Sequence, residues 1–186
     1  MTNRLVYGSL RDVATRENKS IAETFLSVDA LILIDTSLSM DDHDCPGGRR
    51  RYDVACEQLI RLQREIPGKA GVISWNSSAR FCPGGLPGAP DGSTDLAEAL
   101  KFVKPADGCG IRLILISDGE PNNETSALDV ARAFTSPIET IYIGPEHGLG
   151  RDFLRRLAEA TGGEAVSQSV KDIANLSTTV KGLLAA

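Results

Sequence analysis

Asp35, Ser37 and Ser39 stand at alternate positions in the run Val-Asp-Ala-Leu-Ile-Leu-Ile-Asp-Thr-Ser-Leu-Ser-Met, Val28 to Met40. All three side chains offer oxygen, the donor that hard cations such as Mg2+ prefer. A spacing of two predicts that they share one side of an extended segment. Two groups of the same chemistry lie far along the chain, Thr94 in Ser93-Thr94-Asp95 and Asp118 in Ser117-Asp118-Gly119. Together these supply two carboxylates and three hydroxyls, enough for one Mg2+ or Mn2+ with waters completing an octahedron. A plain alternative is a set of strand ends followed by turns, because Asp, Thr and Ser all favour turns.

The elements around these residues read as alternating strands and helices. Ala30 to Ile34 is a near-continuous apolar run, as expected of a central strand buried on both faces of a parallel sheet. Ile111 to Ile116 repeats the pattern, again with an acid just past its end. In open α/β sheets ligands bind outside the carboxyl ends of the strands, which is where Asp35 and Asp118 fall. Further strands are predicted at Gly71 to Trp75, Ile138 to Ile143 and Glu164 to Val166, with Ala79 to Cys82 as a hairpin partner. Helices are predicted at Tyr52 to Ile66, Leu96 to Val103 behind Asp95 as a cap, Ser126 to Phe134, Asp152 to Thr161, and Asp172 to Leu184. Pro83 to Gly92 holds four Gly and three Pro and reads as a loop without an element of its own. The fold class is α/β: a doubly wound, Rossmann-like sandwich with helices on both faces. Residues 28–186 form that domain. Residues 1–27 read as an arm or short helix packing on it, with a capping box at Ser20 to Glu23 and a short edge strand at Leu5 to Tyr7.

At 186 residues the chain is one domain, long enough to bury a core without staples. A net charge of -5 leaves no electrostatic footprint for nucleic acid or an anionic membrane. The short basic cluster Arg49-Arg50-Arg51 fits a solvated turn better than a phosphate contact. The four cysteines form no Cys-x-x-Cys pair and read as free thiols. With no apolar stretch of membrane-spanning length, the expectation is a soluble, cytoplasmic protein.

Several catalytic readings fail on single residues. A haloacid-dehalogenase-type phosphoryl transfer wants a second Asp where Ser37 stands. Gly68-Lys69 is followed by Ala70, so a P-loop is not closed, and no Gly-x-Ser-x-Gly elbow occurs. Two histidines leave little material for a nucleophile and its base. His43, with Asp42, Asp44 and Cys45, reads as a solvated loop in preference to half of a zinc site. His147 reads as surface, Trp75 as core or rim, and Glu120 and Asn122 as rim or turn residues.

Asp35-Thr36-Ser37-Leu38-Ser39-Met40 resembles the Asp-x-Ser-x-Ser signature of the von Willebrand factor A domain, the integrin I-like family. Ser93-Thr94-Asp95-Leu96 through Leu100 is similar to that family's threonine loop, and Ser117-Asp118-Gly119 to its strand-end aspartate. The three motifs come in the family's order and span about Val28 to the C-terminus. The resemblance implies a largely parallel sheet with one short antiparallel edge strand and a metal-ion-dependent adhesion site. It further implies that Ser37 and Ser39 ligate Mg2+ or Mn2+ directly. Thr94 does so in the high-affinity state, and Asp35 and Asp118 act mostly through waters. Leu38 departs from the Gly that bacterial members often carry. A cation held mainly by neutral hydroxyls keeps positive charge for an outside Asp or Glu. The expected function is therefore metal-dependent protein binding by a monomer, without catalysis. The resemblance also points, loosely, to an AAA-type ATPase or stress-response complex as partner. Two alternatives are a Mg2+- or Mn2+-dependent phosphoester hydrolase using the same site, and a metal-free structural subunit of a larger complex.

Overall fold

The computed structural model describes residues 5–185. Six strands form one sheet: β1 (Ala30–Asp35), β2 (Ala70–Trp75), β3 (Ala79–Phe81), β4 (Arg112–Ser117), β5 (Ile138–Gly144) and β6 (Ala165–Ser169). Their order is β3-β2-β1-β4-β5-β6, and every pairing is parallel except that of β2 with the edge strand β3. Seven helices surround it: α1 (Leu10–Arg16), α2 (Ile21–Phe25), α3 (Arg51–Glu65), α4 (Leu96–Val103), α5 (Glu124–Ala131), α6 (Gly150–Thr161) and α7 (Leu176–Ala185).

The pleat explains why the apolar runs are continuous. Every residue of β1 is buried. Leu31 and Leu33 face a core shared with α4, α5 and α6, while Ala30, Ile32 and Ile34 face a second core under α3 and α7. A strand buried on both sides gains nothing from polar alternation. The chain order of strands reverses between β1 and β4, the switch point at which such sheets bind ligands. Asp35 ends one of those two strands and Asp118 follows the other.

Residues 5–27 are knit into the domain. Val6 N–H donates to Gly84 O, Arg11 N–H to Pro83 O, and Gly68 N–H to Gly8 O. At Gly8 φ is +85°, and a Cβ there would lie 2.0 Å from Gln63 O, so this turn presses backbone against the end of α3. The capping box at Ser20 is present, with Ser20 Oγ accepting from Glu23 N–H and the Glu23 carboxylate from Ser20 N–H. Leu5 to Tyr7 is not the strand expected, because the Gly8 turn carries the chain onto α3 instead of along β3. Helix α1, capped by Ser9, has no counterpart in the sequence reading.

Most other boundaries shift by one to three residues. Helix α5, capped by Asn123, begins two residues before the expected start. A 3-10 turn at Ile173–Asn175 takes the first turn of the last predicted helix. Among the described residues no helix is long and apolar enough to cross a membrane.

Asp107 fastens the turn after α4 to the chain entering β5. Its carboxylate, 7% exposed, accepts from the N–H groups of Thr135 and Ser136 and from Lys104 Nζ at 2.7–3.1 Å. Burial alone would raise its pKa, but Lys104 and the Thr135 and Ser136 donors together hold it below the ordinary carboxylate range. A carboxyl depressed in the fold stabilises it above the unfolded value and ceases to do so as pH falls. Asp107→Asn should therefore lower stability at pH 7 by about 1–3 kcal/mol in urea unfolding. The gap between wild type and variant should close as the pH drops below about 4. A gap of constant size from pH 7 to pH 3 would show that the charge is not what holds this turn.

Candidate metal centre

The last residue of β1 is fully buried and fully engaged. Asp35 Oδ1 accepts from Ser37 N–H at 2.8 Å, and Oδ2 accepts from the Ser117 hydroxyl at 2.6 Å. Ser117 Oγ in turn accepts from Gly119 N–H at 2.9 Å. One hydroxyl thus joins the ends of β1 and β4 and sets the turn after β4. Burial first, and the neighbouring Asp118 carboxylate second, push the Asp35 pKa up to about 6 against these hydrogen bonds.

Ser37 leaves the strand in extended conformation, φ −68° and ψ 168°, and Leu38–Asp41 then close a 3-10 turn. The extended segment expected from alternate spacing therefore stops at Ser37. The turn is what brings the two hydroxyls together: Ser37 Oγ and Ser39 Oγ lie 3.1 Å apart. Met40 N–H donating to Ser37 O closes it, and the Met40 side chain is buried in the core beneath. Leu38, by contrast, is 63% exposed on the rim.

Asp118 is buried just past β4. One oxygen, Oδ2, lies 3.3 Å from Arg51 Nη1, and the other, Oδ1, is buried without a partner. The loop behind it is fixed by two glycines. A Cβ on Gly119, where φ is +76°, would sit 2.3 Å from Gly150 O, and one on Gly150 would sit 1.9 Å from Asp118 O. Only bare backbone allows the start of α6 to press so closely against the acid's own peptide.

Thr94 lies on the third loop, half-buried, ahead of α4, whose cap is Asp95. Asn122 ties this loop to that of Asp118. Its N–H donates to Thr94 O at 2.9 Å, its Oδ1 accepts from Thr94 N–H at 3.3 Å, and its Nδ2 donates to Ser93 Oγ at 3.0 Å. On the other side Asp91 N–H donates to Thr36 O at 2.9 Å. The structure thus brings Asp35, Ser37, Ser39 and Asp118 together at the switch point and stitches the Thr94 loop to both strand ends. Among the described residues the Thr94 hydroxyl makes no hydrogen bond to the other four.

Arg51 is the member the sequence reading missed. It is 4% exposed and is no part of a solvated turn. Its Nε and Nη2 form a fork on Asp44 at 2.9 and 2.5 Å, Nη2 lies 3.2 Å from Asp42, and Nη1 reaches Ser39 O and Asp118. The stripe Ala55, Leu59, Leu62 continued one turn backward lands on position 51, so periodicity alone marked it as inward. Arg49 and Arg50 do behave as expected, in solvent-screened surface pairs with Glu57, Asp41 and Asp53. The His43 Nδ1 atom is hydrogen-bonded to Gly48 O, and Asp42 and Asp44 of the same loop are engaged with Arg51. All four cysteines are free thiols, and His147 is exposed.

The donor set fits one hard divalent cation. Two hydroxyls converge, a buried carboxylate oxygen lacks a partner, and a second carboxylate stands behind them. Among the described residues no group of three or more His, Cys, Asp or Glu is arranged to hold a metal, so a cation at this place would need hydroxyl ligands. Trp75 is 1% exposed and belongs to the core, its carbonyl accepting from the Thr36 hydroxyl.

Neither a family model nor a curated protein matches the sequence. Solved structures do share the fold. A von Willebrand factor type A structure from Catenulispora acidiphila superposes with a TM-score of 0.60 at 18% identity, over 86% of this chain and 42% of that one. The manganese-loaded TRAP protein of Plasmodium vivax gives 0.53 at 16% identity, over 86% and 74%. A D319A mutant of the PilB minor pilin from Streptococcus sanguinis gives 0.64 at 14% identity, over 86% of this chain and 61% of the pilin. The chain therefore spans under two thirds of that pilin. Likeness at these identities is likeness of fold: a von Willebrand A-like α/β sandwich.

Ser117→Ala removes the hydroxyl shared by Asp35 and Gly119 and leaves both buried groups short of a partner. The expected cost is about 1–3 kcal/mol for each, read as a lower urea midpoint with an unchanged slope. Stability equal to wild type would mean that the ends of β1 and β4 are joined by something else.

Proposed function

We propose that this domain is a divalent-metal-dependent protein-binding module whose partner completes the metal coordination with an Asp or Glu. The observation that carries the reading is the convergence of Ser37, Ser39 and the unpartnered Asp118 Oδ1 at the switch point of a von Willebrand A-like sheet. Ser37, Ser39 and Thr94 would hold Mg2+ or Mn2+ through hydroxyls, with Asp35 and Asp118 acting mostly through waters. The bound ion would supply a positive centre at the rim, undercompensated by neutral donors and open to an outside carboxylate. Leu38, exposed beside it, offers an apolar contact to the same partner. An AAA-type ATPase or a stress-response complex is a partner of the right kind.

One observation favours a second reading, a metal-free structural subunit. Arg51 already brings a cation to Asp118 and to the Ser39 carbonyl.

Calorimetric titration separates the two. Wild type should bind Mn2+ at a single saturable site, and Ser39→Ala should weaken it at least about tenfold, the scale on which outer contacts to a metal are felt. A cognate protein should then be retained by immobilised wild type with Mn2+ and released by chelator. No heat and no thermal shift with either Mg2+ or Mn2+ would overturn the metal-dependent reading in favour of the structural one.

A further inference from the structure

The Arg51 guanidinium is held asymmetrically. Its Nε and Nη2 form the short fork on Asp44, with Asp42 beside them, all from the loop after β1. Its Nη1 is different: 3.3 Å from Ser39 O and 3.3 Å from Asp118 Oδ2, both long for a charge-assisted hydrogen bond. The arginine is anchored on one side and reaches the strand ends with one loosely bonded N–H group. Asp118 is correspondingly under-satisfied, with one long contact and one buried oxygen that has none.

We propose that Arg51 is a resident cation that holds Asp118 when no metal is bound and lowers the affinity of the site for the metal when it is. This rests on the metal-dependent reading above. A divalent ion and the guanidinium share one carboxylate, and each weakens the hold of the other on it. The fork on Asp44 does not depend on Asp118, so Arg51 keeps its place when Asp118 turns toward an ion. Its positive charge then stays beneath the site and adds to the pull on an incoming carboxylate. The site is thereby tuned away from tight metal retention and toward capture of an acidic partner.

The test uses the full chain and Mn2+ alone. Arg51→Gln keeps a donor for Asp44 and loses the charge. It should bind Mn2+ about tenfold more tightly than wild type at low salt, while melting lower in chelator. A merely structural arginine would lower both. Arg51→Met with Asp44→Asn removes the pair together without changing net charge, leaves no unpaired Asp44 carboxylate, frees Asp118 for the ion, and should also gain Mn2+ affinity. Wild type that binds Mn2+ while both variants bind it no better overturns this inference and leaves the metal-dependent reading standing. Variants that bind where wild type does not would support it. Absence of binding in all three removes the reading and the inference together. Variants that fail to fold even with Mn2+ would make Arg51 a structural residue and overturn the inference alone.

Discussion

Two carboxylates, Asp35 and Asp118, are buried side by side at the ends of neighbouring strands, and the rest of the site exists to make that tolerable. Burial first, and the neighbouring Asp118 carboxylate second, disfavour the charge on Asp35, which is why it is pushed up to about 6. Asp35 is compensated locally by the Ser37 N–H and the Ser117 hydroxyl. Asp118 is compensated at a distance, by an arginine from α3 that is itself balanced by Asp42 and Asp44. The arrangement is over-supplied with acid: three carboxylates contact one guanidinium, and Asp35 stands beside Asp118 without a cation of its own. That imbalance is the electrostatic argument for a further cation at this place.

The sheet explains why the acids meet at all. Parallel strands put their carboxyl ends on one edge, and the reversal of order between β1 and β4 opens a gap between the loops that follow them. Each loop is then held by backbone groups instead of by its own flexibility. The 3-10 turn aligns the two serines, Gly119 packs on Gly150, and Asn122 bridges to Thr94. Preorganisation of this kind matters for a weakly binding donor set, because ordering the loops on binding would consume much of the affinity gained.

The sheet, the hairpin edge strand and the two acid-bearing strand ends were legible because their signals are strong and local. Continuous apolar runs mean strands buried on both faces, and breakers such as Pro67-Gly68 end helices wherever they occur. What was illegible depended on contacts between distant segments. Nothing in Leu5–Tyr7 reveals that Gly8 will press on Gln63, so a β-prone tripeptide was read as a strand. Helix α1 is short and rests on packing against the domain, which local propensity does not carry. Arg51 was misread because three successive arginines look like solvent-exposed charge, although the helical stripe pointed inward at that position. Asn122 read equally well as a turn residue, since its partners on the Thr94 loop lie 28 and 29 residues earlier.

The same salt-bridge network weighs on the choice between binding and hydrolysis. Phosphoester chemistry at this site would need a base to activate water or a second metal, and the loop after β1 is where the acids for either would come from. Those acids are already engaged: Asp41 pairs with Arg50, and Asp42 and Asp44 with Arg51. Withdrawing Asp44 from its fork would take the closest partner from a 4%-exposed guanidinium, leaving it only Asp42 at 3.2 Å and Asp118 at 3.3 Å. The loop therefore serves the arginine, and the arginine serves Asp118. The acids from which a water-activating base would be drawn are thus engaged with Arg50 and Arg51, and this is what weighs toward the proposed binding role over hydrolysis.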